Sequence, residues 1–344
     1  MKALVKDKKE IGLNYIDVPL PEVGDKDVLF KIKVSAICGT DLNLYQWNDW
    51  AKKVYTRLPL IPGHECCGEV VEVGQQVKRV SKGDRIVVET HVPCGRCYHC
   101  LNGMQHICPT MGLVGATMNG CFAEYCCLPE VSVWKISDSL STEAASLLEP
   151  MGVPLRAVLE GNVGGETVVI IGCGSLGQFA IALSKIMGAS KVIGIDVNAY
   201  RLEIAKSIGA DLIFNPEKEN IEKQILDLTS GLGAGVIIEV SGNTDAIQQS
   251  FNYLRKGGRV FLIGQPKKEA IIDIGKSIVL KEAKIRGFHG REMFKTWEIA
   301  EKILLSGKID WQTIVTHKFP LEEYQKAFEL LMAGKACKVL FQIE

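Results

Sequence analysis

The chain has 344 residues, 47% of them apolar and 23% charged, and its formal net charge is zero. A neutral balance supplies no field to draw nucleic acid or an anionic membrane surface, and no apolar run nears the roughly 20 residues that cross a bilayer. The length suits two domains, each with its own core, and there is no repeat or low-complexity tract.

The N-terminal ten residues lack the apolar core of a secretory signal. The twelve cysteines are therefore expected to stay reduced, in a cytoplasmic protein. The first part reads as short strands broken by turns. Residues 28–37 alternate apolar and polar side chains. At the end of that run stands Cys38-Gly39-Thr40-Asp41, and further on come Gly63-His64-Glu65. A thiolate, an imidazole and a carboxylate suit a zinc that keeps one position open for substrate. The plainer readings are a buried apolar cysteine and a hydrogen-bonded turn histidine.

Strand patterns follow at 68–73 and 85–88, and then a comb of Cys94, Cys97, Cys100 and Cys108. Four thiolates on one short loop surround a zinc tetrahedrally and leave no place for water, which makes a structural site. Pro109 after Cys108 is shared with an iron–sulfur run, but the last gap of the comb is longer and no second comb follows. Cys66-Cys67 and Cys126-Cys127 lie in strand-like runs and read as small buried hydrophobes. Another strand is expected to open over residues 120–125. These short β runs predict a compact, barrel-like β domain.

The pattern changes after Glu149-Pro150. Strands are expected at 167–171, 191–196, 236–240 and 259–264, with helices over 175–187, 198–208 and 245–255. Alternating strand and helix predicts βαβ units on a parallel sheet. Amphipathic helices follow near 292–305 and 321–332. A last strand at 338–343 is expected to return to the first domain, leaving the α/β unit as an insertion.

Gly172-Cys173-Gly174-Ser175-Leu176-Gly177 is a G-x-G-x-x-G directly after one of these strands and opening a helix. Gly172 serves the tight turn, Gly174 the close approach of a pyrophosphate, and Gly177 the packing of helix on strand. The phosphates would meet backbone N–H groups at the positive end of the helix. Asp196 ends the next strand, where a carboxylate accepts from ribose hydroxyls and repels a 2′-phosphate. NAD is thus favoured over NADP, with Arg201 as the one residue arguing the other way. The plainer reading is a glycine-rich turn, with Asp196 capping a helix. Cys38, His64 and Glu149, with Glu65 beside His64, are expected to gather where the two domains meet. A zinc there would polarise the hydroxyl of an alcohol whose carbon gives a hydride to the nicotinamide.

These motifs, in this order and from end to end, resemble the zinc-containing medium-chain alcohol dehydrogenases. Trp47-Asn48-Asp49-Trp50, Glu89-Thr90-His91 and the runs 196–203 and 290–297 are similar to the branch that oxidises L-threonine. The resemblance implies an α/β protein. A GroES-like β-barrel catalytic domain would span 1–151 and 291–344, and a doubly wound Rossmann coenzyme domain 152–290. It implies two zincs per chain and a homotetramer, with a dimer as the alternative. It puts the catalytic zinc on Cys38, His64 and Glu65, with Glu149 either ligating or relaying a proton. It implies NAD contacts at Leu176, Asp196, Arg201, Ile263, Gly264, Gln265, Phe288 and His289. The implied reaction converts L-threonine to 2-amino-3-oxobutanoate. A polyol or diol substrate, or a binding protein without chemistry, are the alternatives.

Two departures bear on the substrate. Thr40 fits the first member of a threonine–histidine proton relay, but Asn43 stands where the histidine is expected, and asparagine does not titrate. His91 is a candidate replacement base. The stretch after Glu149-Pro150 carries Pro154, which fixes the local backbone, and Arg156. That arginine reads either as an anchor for an anionic group or as a solvated helix residue.

Overall fold

The structure, a computed structural model, describes residues 1–55 and 57–343. The chain forms two compact units. The first comprises Met1–Pro150, Glu292–Ser306 and the chain from Val315; the second comprises Met151–Arg291 and Gly307–Ile314.

In the first unit, β1 (Lys2–Val5) pairs antiparallel with β2 (Asn14–Asp17). The long strand β3 (Asp27–Ala36) pairs antiparallel with β4 (Glu65–Val73). Next come β5 (Arg85–Val88), the short pair β6 (His91–Val92) and β7 (Gly112–Leu113), β8 (Tyr125–Pro129) and β9 (Val133–Lys135). Alternation along β3 turns Val28, Phe30 and Ile32 into the core beside Val70, Ile86, Val88 and Leu128. The strand expected to open over residues 120–125 begins only at Tyr125; before it, Ala123 makes an isolated antiparallel bridge with Ala3. The first N–H groups go to a neighbouring turn: Gly120 donates to Ile61 at 2.7 Å, Phe122 to Pro62 at 2.9 Å and Cys121 to Gly63 at 2.9 Å. A Cβ at Gly120 would lie 2.0 Å from the Gly63 carbonyl oxygen, so glycine alone allows the approach that fixes the turn before His64.

The second unit is built on a six-stranded parallel sheet. Its strands are β10 (Thr167–Ile171), β11 (Lys191–Ile195), β12 (Leu212–Phe214), β13 (Ala234–Glu239), β14 (Leu254–Leu262) and β15 (Lys284–Gly287). Their spatial order is β12-β11-β10-β13-β14-β15. The chain builds outward from β10 in one direction and then restarts on its other side with β13. The junction of β10 and β13 is therefore the topological switch point where open α/β sheets bind ligands. The helix expected over 245–255 is shorter, Thr244–Ser250. Leu254 already pairs with Ala234, so the sheet claims the backbone that helical periodicity had suggested.

The chain then returns to the first unit. The helix Lys295–Leu305 anchors Trp297 there, and β16 (Val315–Pro320) pairs parallel with β17 (Lys338–Gln342). β17 pairs antiparallel with β3, which brings the last strand back to the first unit. The sheet runs β16-β17-β3-β4-β5-β9, with β8 also on β3.

Candidate metal and coenzyme sites

In the comb, Gly95 takes a positive φ of 73° and Cys97 caps the short helix Tyr98–Leu101, which folds the four sulfurs inward. All four lie within 4.8 Å of one another. Cys97 is 3.5 Å from Cys100 and 3.8 Å from Cys108, and Cys94 is 4.0 Å from Cys100. A tetrahedron with metal–sulfur bonds of about 2.3 Å has edges of about 3.8 Å, so the sulfurs fit a zinc. The Arg96 N–H and the Thr110 hydroxyl lower the Cys94 pKa to about 6, favouring the thiolate that binds metal.

The second cluster follows from the register of β3 and β4. Ala36 faces Glu65, so Cys38, just beyond β3, comes beside His64 and Glu65. One ligand atom from each lies within 4.8 Å of the others. Around them, Asp41 is buried and accepts from the Cys38 N–H at 2.8 Å, while its Oδ1 has no partner among the described residues. Burial works against an imidazolium at His64. Cys38, Asp41 and Glu149 outweigh it and raise that pKa well above its ordinary value. Glu65 is tied to Lys338, whose ammonium donates to Glu65 Oε2 at 2.5 Å and to the Ile37 carbonyl at 3.1 Å. Burial opposes that ammonium too, but the charges of Glu65, Cys38 and Glu149 keep it protonated.

Three carboxylates and a thiol thus converge in a buried place against one lysine. Such a field favours a cation among the three donors, and sulfur, imidazole and carboxylate together suit zinc. The Thr40 hydroxyl oxygen is also buried without a partner among the described residues.

Other expected residues lie nearby in the fold. Glu149 is buried and its Oε1 accepts from the Thr90 hydroxyl. It is not one of the three close donors, although its charge acts on His64 and Glu65. His91 is buried, and Glu89 Oε1 accepts from its backbone N–H at 3.0 Å and lies 2.6 Å from its Nδ1. The Trp297 indole donates to the other oxygen of Glu89 at 2.8 Å. Asn43 accepts from the Asn48 amide at 2.7 Å. Arg156 is neither solvated nor open to an anion. It is 5% exposed, pairs with Glu160 at 3.1 Å and lies 4.7 Å over the Phe288 ring.

In the second unit the predicted coenzyme residues all fall at the carboxyl ends of the strands. Gly172 follows β10 with a φ of 94°, and a Cβ at Gly177 would lie 1.9 Å from the Gly172 oxygen. Gly174 caps the helix Ser175–Ile186, which carries Leu176 in its first turn. Asp196 directly follows β11 and accepts from the N–H of Cys173 at 2.7 Å and of Asn198 at 2.8 Å, leaving lone pairs for a ribose. Arg201 lies in the helix that follows, Ala199–Ser207. Ile263, Gly264 and Gln265 form the turn after β14; Phe288 and His289 follow β15. Gln178 escaped the sequence analysis. Its amide donates to the carbonyls of Cys173 at 2.7 Å and Arg201 at 2.9 Å, tying the glycine loop to the next helix.

A four-sulfur site, a trio of sulfur, imidazole and carboxylate donors and a glycine-rich loop on a parallel sheet together define a zinc-dependent dinucleotide oxidoreductase. Comparison with known proteins agrees. The family model "Alcohol dehydrogenase GroES-like domain" matches residues 24–138, and "Zinc-binding dehydrogenase" matches residues 175–306. The chain is 41% identical over 340 residues to an L-threonine 3-dehydrogenase of Bacillus licheniformis, covering 99% of this chain and 98% of the relative. It is 40% identical over 345 residues to that of Pyrococcus furiosus, covering 100% and 99%. The crystal structure of alcohol dehydrogenase TADH from Thermus sp. ATN1 superposes with a TM-score of 0.92 at 29% identity, covering 100% of both chains. The chain belongs to the zinc-binding alcohol dehydrogenases. It is an enzyme that uses zinc and a nicotinamide dinucleotide on a small-molecule substrate. Among the described residues no helix is long and apolar enough to cross a membrane.

Proposed function

We propose that this enzyme oxidises L-threonine at its side-chain hydroxyl to 2-amino-3-oxobutanoate, with NAD as acceptor. The observation that carries the reading is full-length similarity to L-threonine 3-dehydrogenases at 40–41% identity, well above the likeness to the alcohol dehydrogenase. Cys38, His64 and Glu65 would hold the catalytic zinc, with Glu149 close enough to act on the same charge. The comb would hold the structural one. Zinc, when bound, supplies Lewis acidity toward the substrate oxygen, and NAD supplies the hydride acceptor.

The chain's own residues do the rest. The Thr40 hydroxyl, buried and without a partner among the described residues, accepts the proton of the substrate hydroxyl as it passes its own proton on, so that it relays and does not keep the charge. Asp41 fixes the Cys38 backbone and favours a cation at His64. Lys338 holds one oxygen of Glu65, which limits how that carboxylate can turn. Asn43 does not titrate and is held by Asn48, so the proton is carried on by His91. The Glu89 carboxylate accepts from the Nδ1–H of His91 at 2.6 Å, which sets the tautomer and orientation of that ring.

Asp196 directly after β11 favours the unphosphorylated ribose. NADH formation should therefore be fast with L-threonine and NAD, and at least about tenfold slower in kcat/KM with NADP. Turnover of sorbitol or butane-2,3-diol with none on L-threonine would replace the substrate while keeping the chemistry.

Two exposed apolar patches support a homotetramer. One is the exposed apolar run Ile271, Ile274, Val279 and Leu280, which precedes in the chain the edge strand β15, all four of whose residues are exposed. The other is Tyr98 and Leu101 beside the comb. An unpaired edge and two separate patches are what a chain with two interfaces needs. Light scattering on the purified protein should give the mass of four chains; a monomer would reject the assembly. Free thiols around two zinc sites fit the reducing cytoplasm, where we place the enzyme.

A further inference from the structure

β13 is apolar and buried along its length except for its last residue, Glu239, which is also fully buried. That carboxylate stands at the switch point. Its Oε1 accepts three hydrogen bonds: the Ser241 N–H at 2.8 Å, the Ser241 hydroxyl at 2.5 Å and the Gly242 N–H at 2.9 Å. Its backbone carbonyl accepts from the N–H of Ile263 at 2.8 Å and of Gly264 at 3.1 Å, in the turn after β14. One residue thus holds two turns at once.

The turns touch through glycine. A Cβ at Gly264 would lie 2.2 Å from the Gly242 nitrogen and 2.8 Å from Glu239 Oε2. A Cβ at Gly242 would lie 2.5 Å from the Gln265 carbonyl oxygen. On the other side, a Cβ at Gly172 would lie 2.9 Å from the Ser241 Cβ. The loop after β10 and the turns after β13 and β14 are therefore packed backbone against backbone, and Ser241–Gly242 is the middle piece. The Glu239 carboxyl is the side chain that fixes it.

We propose that Glu239 is a positioning residue for the coenzyme: it holds these three turns in one arrangement and so sets how tightly the dinucleotide seats. The proposal rests on the coenzyme reading of the second unit. The second oxygen, Oε2, is buried and has no partner among the described residues. Burial raises the pKa of this carboxyl although the donors on Oε1 pull the other way. Glutamine keeps an acceptor oxygen of the same reach for the Ser241 and Gly242 donors, whereas leucine fills the space and accepts nothing.

The test uses the full-length, zinc-loaded protein and NADH binding followed by fluorescence, beside steady-state kinetics. Glu239→Leu should raise both the NADH Kd and the KM for NAD by about tenfold or more, while kcat at saturating NAD stays within about threefold. Glu239→Gln should bring Kd back to within about threefold of the parent protein. A folded Glu239→Leu protein that binds NADH as tightly as the parent would overturn the proposal, and so would a fall in kcat with Kd and KM unchanged. If Glu239→Leu does not fold, Ser241→Ala, which removes one donor to Oε1, should weaken NADH by about threefold. Unchanged affinity there overturns the proposal equally. If the parent protein itself binds no NADH, the coenzyme reading fails first and takes this one with it.

Discussion

The Cys38→Ala protein should lose kcat/KM by about a thousandfold or more, yet bind NADH within about twofold of the parent. The loss is large because the Cys38 sulfur is one of three close donors in its cluster among the described residues. Removing it leaves His64 and Glu65, and Glu65 is already held by Lys338. A Lewis acid is worth several kcal/mol at a reacting oxygen, and each 1.36 kcal/mol is tenfold in rate. Coenzyme affinity should survive because the glycine loop, Asp196 and the turns after β13 and β14 belong to the sheet of the second unit, whereas Cys38 belongs to the first. Zinc measured by atomic absorption should fall by one per chain. Retention of near-parent turnover would remove Cys38 from the chemistry.

Cys97→Ala is expected to act on stability instead. Cys97 has two of the closest sulfur contacts in the comb and caps the helix that folds the loop. Metal-ligand energy at a closed site is folding energy, so one lost thiolate removes several kcal/mol from the loop. For a protein of this size that is a fall in Tm of about 5 °C by calorimetry. The exposed Tyr98 and Leu101 ride on the same loop, so the mass by light scattering should fall with the Tm. An unchanged Tm would show that the comb contributes nothing to folding.

The parts legible in the sequence were those whose chemistry is local. The comb lies within a few turns of chain, and the glycine loop is read from six consecutive residues between a strand and a helix. The αβ alternation fixed the parallel sheet because strand and helix periodicities differ. What could not be read was set by distant contacts. Lys338 meets Glu65 across 273 residues, and Trp297 meets Glu89 across 208. Nothing near Lys338 marks it as buried, since lysine in an edge-like C-terminal run reads as solvated. Arg156 was misread on the same prior: Glu160 is near it in sequence, but the Phe288 ring that shields it is not. Glu239 did carry a signal that was passed over, a single acid closing an apolar β run. The strand expected to open over 120–125 starts only at Tyr125, because alternation cannot show that the N–H groups of 120–122 are spent on Ile61, Pro62 and Gly63.

β17 brings a consequence for biogenesis. Glu65 leaves the ribosome early, but the lysine that neutralises it is made 273 residues later, after the whole nucleotide-binding insert. Until then the nascent barrel carries a buried acid without its counter-ion, which disfavours closure of its seam. The N-terminal unit should therefore wait as an open sheet during synthesis, and the metal pocket should acquire its final form only once translation is nearly done.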